Sequence, residues 1–301
     1  MTVRASVVVV SYDMARELPR TLHTLSPANQ RDIDPDDYEV VVVDNGSPDD
    51  TYLNALADMF PRLTIHRMTD AAPSPVAAVN RGLKLARGDL IGVFIDGARM
   101  ASPRLIASAL EAADLHPRPA VGTLAFHLGP DVQSTSVHAG YDQRTEDELL
   151  NTVAWRNDGY ELFRISVFAA SSAGGWFQVP QETNALFLKR DHWHEIGGLD
   201  PTFRAPGGGL ANLDIWERLC GDESVEVIML LGEGTFHQFH GGVATNALVH
   251  PWQEFHDEYV AIRGHDFLPP KRRPLLFGRF PESAWPSVLQ SAGLIQVEDG
   301  R

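Results

Sequence analysis

The chain has 301 residues, of which 40 are acidic and 25 basic, giving a formal charge of −15. A nucleic-acid binder presents a basic face, so this balance argues against a nucleic-acid partner. The 44% hydrophobic content is enough for a well-covered core, and the single cysteine, Cys220, excludes an internal disulfide and fits a reducing compartment. The first apolar run stops at Ser11, short of a signal peptide, and no window approaches the roughly 20 apolar residues that span a bilayer. A cytoplasmic location is expected. Lys271, Arg272, Arg273 and nearby Arg279 form a local basic exception, read first as a solvated tail segment and second as a contact for a membrane surface or an anionic acceptor.

In chain order, β-branched runs alternate with segments of helical spacing. Ser6 to Val10 is nearly continuous valine, the pattern of a strand buried on both faces. Tyr38 to Val43, Leu63 to Met68, Leu90 to Ile95 and Ala120 to Phe126 repeat the theme. Between them, Ser47-Pro48, Ser74-Pro75 and Ser102-Pro103 each offer a cap residue before a proline suited to a first helical turn. Apolar residues follow at helical spacing, as in Leu53, Leu56 and Phe60, then Val76, Val79 and Leu83. Such alternation predicts an α/β fold with a mostly parallel sheet covered by helices on both faces. Ligands of such sheets bind at the carboxyl ends of the strands, which directs attention to Ser11–Asp13, Asp44–Ser47 and Asp96–Arg99.

From about residue 127 the alternation fades. His127 to Gly175 is polar and irregular, and reads as an acceptor-binding excursion. Asn184 to Lys189 predicts a strand, and Asp191 to Ile196 a short helix ended by Gly197-Gly198. Asp214 to Leu219 predicts a helix and Val225 to Leu231 a strand. A helical tail with a proline-rich segment follows Gly242. The expected division is 1–126 as a donor-binding half, 127–248 as an acceptor-binding and catalytic half, and 249–301 as a tail.

Four stretches carry a family resemblance: VVVVSYDMARELPRTLHTL (7–25), VVVDNGSPDD (41–50), NRGLKLARGDLIGVFIDGAR (80–99), and NALFLKRDHWHEIGGLDPTF (184–203) followed by GGGLANLDIWERL (207–219). In this order and spacing the chain resembles family 2 glycosyltransferases of the GT-A (nucleotide-diphospho-sugar transferase) fold. The resemblance implies transfer of a sugar from a nucleoside diphosphate, a UDP-sugar being the commonest donor, to a hydroxyl of a carbohydrate or small molecule, with inversion. It sets this chemistry in bacterial glycan or glycosylated-metabolite biosynthesis. It also implies a carboxylate base and a divalent cation, Mn2+ or Mg2+, or another positive group on the pyrophosphate.

Carried onto this sequence, the family's donor pocket falls on Ser11, Tyr12, Asp44, Asn45, Asn80, Asp96, Arg99 and Asn184. Asp44 is the favoured nucleobase partner, against an Asx-type turn as the alternative. Asp96 occupies the Asp-x-Asp position, but its second acid is Ala98, which cannot ligate. Arg99 offers a planar donor fork for a diphosphate instead. The metal set implied is Asp96 with His240 and His237. The family's Glu-Asp pair is replaced by Ala211 and Asn212, so Asp214 is the expected general base, with Glu217 or another acid as alternatives and a helix-dipole role as its competitor. The glycine run 207–209 reads as a mobile loop that orders over bound donor. Trp155, Trp176 and Trp193 form a candidate sugar platform, with core packing as the alternative.

Two other readings stand beside this one. Nucleotidyltransferases share a similar sheet, but SYDMARELPR lacks their Gly-rich basic loop. A non-catalytic nucleotide-sugar-binding protein or degenerate subunit is the other, suggested by the lost acids. Homo-oligomerisation is left open by the sequence.

Overall fold

A computed structural model describes residues 3–242 and 251–295. Its strands are β1 (Ala5–Ser11), β2 (Tyr38–Asp44), β3 (Leu63–Arg67), β4 (Leu90–Phe94), β5 (Arg99–Ala101), β6 (Pro119–Leu128), β7 (Ser166–Phe168), β8 (Ala185–Lys189), β9 (Glu226–His237) and β10 (Leu275–Gly278). The helices are α1 (Leu18–Leu25), α2 (Thr51–Leu56), α3 (Val76–Leu85), α4 (Leu105–Ala113), α5 (Gln133–His138), α6 (Gln143–Leu150), α7 (Arg190–Ile196), α8 (Ala211–Gly221), α9 (Trp252–Arg263) and α10 (Trp285–Ser291).

One sheet runs in the order β10-β9-β6-β8-β4-β1-β2-β3, with β5 paired to β9 and β7 to β6. β1 is parallel to β2 and β4, and β6 is parallel to β9. β8 is antiparallel to both neighbours and joins the two parallel groups. The predicted halves therefore share one continuous sheet, and the expected boundary at 248/249 lies outside the described residues.

The valine runs are explained by burial on both faces. Val8, Val10, Val41 and Val43 point into one core with α3, α7 and α8, while Val7, Val9, Val40 and Val42 point into the other with α1, α2 and α4. Alternate residues of a strand leave opposite faces, so only an all-apolar strand satisfies both cores. Each fully buried valine contributes roughly 1.5 kcal/mol or more.

Three helix-start expectations are corrected. None of α2, α3 and α4 has a side-chain cap. Ser47 donates its hydroxyl to Asp44, Ser74 to the Phe203 carbonyl at 3.0 Å, and Ser102 to Glu233 at 2.6 Å. Each hydroxyl ties its loop to a partner outside the helix. The tryptophan platform is corrected as well: Trp155, Trp176 and Trp193 are buried core residues. The region 127–175 is less irregular than its sequence suggests: it holds the end of β6, α5, α6, β7 and two 3-10 helices, 159–165 and 170–172. In the basic segment, Arg272 donates to the carbonyls of Cys220, Asp222 and Val225 and so caps the end of α8.

Candidate active site on the carboxyl rim of the sheet

β1, β2 and β4 are parallel neighbours, so their carboxyl ends place Ser11, Asp44 and the Asp96 turn on one rim. Contact is close: a Cβ added to Gly97 would lie 3.0 Å from Ser11 Cβ and from Met14 Sδ, tight enough that those neighbours would have to shift by a few tenths of an ångström. Asp44 accepts N–H donation from Gly46 at 3.2 Å and Ser47 at 3.0 Å, and a hydroxyl from Ser47. Asp44 thus forms the Asx-type turn as well as standing at the rim. Asn45 donates to the Ala72 carbonyl at 2.8 Å, and its Oδ1 is buried without a partner. Tyr12 is 52% exposed, free of the buried environment that a core tyrosine would have.

Asp96 sits at the centre of the cluster. Its Oδ1 accepts the Ala98 N–H at 2.9 Å, and its Oδ2 accepts Arg99 Nε at 2.7 Å. β5 is the device that brings histidine to this carboxylate. It pairs Arg99 with His237 across an antiparallel ladder, and the Gln238 N–H then bonds the Ala98 carbonyl at 2.9 Å. His237 Nε2 comes to rest 3.8 Å from Asp96 Oδ2 and 3.1 Å from His240 Nε2. Ligand atoms of Asp96, His237 and His240 all lie within 4.8 Å of one another. Ala98 is fully buried, so the absent second acid corresponds to a position without access to solvent.

Neighbouring groups and burial set the state of the two histidines. His237 Nδ1 lies 2.8 Å from Gln133 Oε1, and the tautomer with its proton on Nδ1 satisfies this contact and leaves Nε2 free on the side of Asp96. Burial, with the Arg99 charge next, holds His237 well below the ordinary histidine range. Burial also lowers His240, against the pull of Asp96. His127, its ring 5.5 Å from that of His237, is pushed down to about 3 by burial and then by Arg99. Neutral imidazoles are the form a cation binds. An oxygen and two nitrogens suit Mn2+ better than Mg2+, which asks for oxygen. Arg99 is only 7% exposed and its Nη1 has no partner among the described residues, while its Nε is spent on Asp96. Orphaned buried polar atoms are rare enough to call for an explanation, and a ligand supplies one.

Several site neighbours escaped the sequence reading. Glu146 accepts the Phe239 N–H at 2.6 Å and Arg16 at 3.1 Å, and burial raises its carboxyl to about 7. Gln238 donates to the Glu17 carbonyl at 3.1 Å. Together these residues clamp the segment carrying His240. For Glu146 the only sequence signal was polarity inside a stretch that looked irregular.

Two expected residues, Asn80 and Asp214, are placed otherwise, while Asn184 keeps to the rim. Asn80 spends its whole amide on Leu199, donating to the carbonyl at 2.8 Å and accepting the N–H at 2.9 Å, which makes it a brace between α3 and the 197–199 turn. Asn184 is buried directly before β8, one residue past the Phe94–Ala185 pair and so on the rim. Asp214 is 1% exposed and its carboxylate is fully engaged: Arg263 donates at 2.5 and 2.8 Å, and Arg218 at 3.0 Å. With both oxygens engaged by guanidinium groups and neither turned to solvent, Asp214 braces α8 against α9. Glu217, the other acid named on α8, enters no side-chain hydrogen bond or ion pair among the described residues.

The sequence model of "Glycosyl transferase family 2" matches residues 6–170. Two curated relatives, each called "Validoxylamine A glucosyltransferase", come from Streptomyces hygroscopicus subsp. limoneus and subsp. jinggangensis (strain 5008). Both are 29% identical over 218 residues, 67% of this chain, and are themselves covered to 45% and 48%. The chain spans about half the length of these relatives. Among solved structures, S. aureus TarS 1-349 in complex with UDP-GlcNAc superposes with a TM-score of 0.55 at 15% identity, covering 86% of this chain and 65% of that one. The same protein in complex with UDP gives 0.52 at 14%, covering 88% and 67%. At that identity the likeness concerns the fold, which is the GT-A arrangement expected. With more than half of its length matched by the family model, the chain belongs to glycosyl transferase family 2.

Proposed function

We propose that the protein is an inverting glycosyltransferase that moves a sugar from a nucleoside-diphosphate donor, a UDP-sugar, to a hydroxyl of a carbohydrate or small-molecule acceptor. The observation that carries this reading is Asp96 gathered with His237 and His240 on the same rim as Ser11 and Asp44. Family membership supports it, as do the relatives named for glucosyl transfer and the neighbour in complex with UDP-GlcNAc.

In this reading residues 1–126 bind the donor and 127–248 supply the histidines and the acceptor side. Ser11, Tyr12, Asp44 and Asn45 border the base and ribose, with the orphaned Asn45 Oδ1 as an unused acceptor. Asp96, His237 and His240 would hold a divalent cation, which would supply neutralising charge for a departing diphosphate. Arg99 aligns Asp96 and presents its spare N–H to the same anion. Displacement at the anomeric carbon then needs an acceptor oxygen in line with the leaving oxygen and a base on the acceptor side.

Titration calorimetry with UDP, with and without Mn2+, together with UDP release from UDP-glucose and UDP-GlcNAc, tests the reading. Asp96→Ala is expected to lower release by about 1,000-fold or more and to abolish the Mn2+ dependence of UDP binding. Unchanged kinetics in the folded variant would remove Asp96 from the site. Tight binding by the parent with no release to any acceptor would favour a nucleotide-sugar-binding protein.

A further inference from the structure

We propose that Glu182 is the general base of this site and that Asn212 positions it. The inference rests on the donor-site reading above. Glu182 lies in the segment that enters β8, three residues before Ala185, which pairs with Phe94 at the end of β4. Two residues beyond Phe94 the chain reaches Asp96, so Glu182 and Asp96 lie on the same rim.

A chain of contacts connects Glu182 to the nucleotide side. Asn45 bonds the Ala72 carbonyl, and Gly207 donates its N–H to the Pro73 carbonyl at 3.1 Å. Gly207, Gly208 and Gly209 all have positive φ, which lets this loop turn tightly into α8. In the first turn of α8, Asn212 Nδ2 donates to Glu182 Oε2 at 2.8 Å and to the Thr183 carbonyl at 3.1 Å. One turn further, Trp216 Nε1 holds the Pro180 carbonyl at 3.0 Å. On the other side Thr183 Oγ1 bonds the Thr123 N–H and carbonyl of β6, both at 3.0 Å. The segment 180–183 is thus strapped between α8 and the sheet, and its carboxylate is held on a rigid support.

The chemical contrast with Asp214 is direct. Glu182 is half-buried and has one oxygen tied by a neutral amide, and no ion pair engages it among the described residues. An amide donor orients a carboxylate without cancelling its charge, whereas the arginines on Asp214 cancel it. The oxygen not held by Asn212 takes the proton of the acceptor hydroxyl as its oxygen bonds to the anomeric carbon. The bond from that carbon to the diphosphate oxygen breaks, and its electron pair leaves with UDP. With water as acceptor, the same step releases free sugar and UDP.

The test uses the full chain with Mn2+. It follows UDP release from whichever of UDP-glucose and UDP-GlcNAc reacts faster with water, and UDP affinity by calorimetry. Glu182→Gln is expected to lower kcat by about 100-fold or more, with donor KM and UDP affinity within about twofold. Asn212→Ala is expected to lower kcat by about tenfold, also without a KM change. The double exchange Glu182→Gln with Asn212→Asp moves the carboxylate across one hydrogen bond and is expected to recover part of the lost kcat. A Glu182→Gln protein as fast as its parent overturns the proposal while leaving the donor site standing, and so does one that has lost UDP affinity. A parent chain that binds no UDP overturns both.

Discussion

Two carboxylates of this protein, Asp96 and Asp214, carry opposite assignments that the sequence alone does not separate. Asp214 is saturated by Arg263 and Arg218, with Asp200 sharing Arg263 at 2.8 Å. Its neighbours compensate its charge, and burial makes the pairing rigid. Asp96 has one arginine on one oxygen and two neutral imidazoles facing it, and it is 20% exposed. The difference teaches that an acid surrounded by cations braces the fold, whereas an acid facing lone pairs and an unused N–H awaits something charged.

The comparison breaks most sharply at Asp214. Asp214→Ala is expected to destabilise the protein by about 3 kcal/mol, because Arg263 and Arg218 lose their buried partner, while the intact fraction keeps its turnover. Urea unfolding beside an activity assay decides this, and turnover lost ahead of stability would return Asp214 to the chemistry.

Glu233 lies between the two extremes. It is buried with Tyr160 and Ser102 on its oxygens, and burial raises it to about 7. A folded value above the unfolded one means that its stabilisation is complete below about 4.5 and fades as pH rises through about 7. Glu233→Gln removes this fade, so its stability relative to the parent should rise by at most about 3 kcal/mol between pH 4.5 and 8. Parallel unfolding curves at pH 5 and pH 8 would refute the assignment. The smallest effect is expected at Gln133. Gln133→Leu leaves the Asp96–His237–His240 donor set in place but frees the His237 ring, and Mn2+ affinity should fall by about tenfold. Equal affinity in a Mn2+ titration would detach Gln133 from the cluster.

The parallel half was legible because both-face burial writes itself as unbroken valine, and the predicted 6–10 and 38–43 became Ala5–Ser11 and Tyr38–Asp44. β8 and α7 were legible for similar reasons, with Gly197 ending the helix in the left-handed conformation. β5 was not, since three residues show no periodicity and its partner is more than 130 residues away. β9 was read to Leu231 but continues to His237, because Gly232, Glu233 and Gly234 look like a turn. Across from them the register slips between Gly122 and Leu124, and the ladder absorbs the irregularity. At the site, residue type singled out Asp96, His237 and His240, and the fold brings their ligand atoms within 4.8 Å of one another. The arginine partners of Asp214, one of them 49 residues distant, were not legible, because no local pattern reports such a pairing.

The placement of β8 bears on how this protein can be cut. The stretch recognised by the family ends at residue 170, yet the strand that fills the gap between β4 and β6 starts at Ala185. A fragment ending at 170 would leave those two strands about 10 Å apart with unpaired edges facing each other. Such a truncation is an aggregation hazard and no stand-alone module, so fusions and minimal fragments should keep the chain through β9.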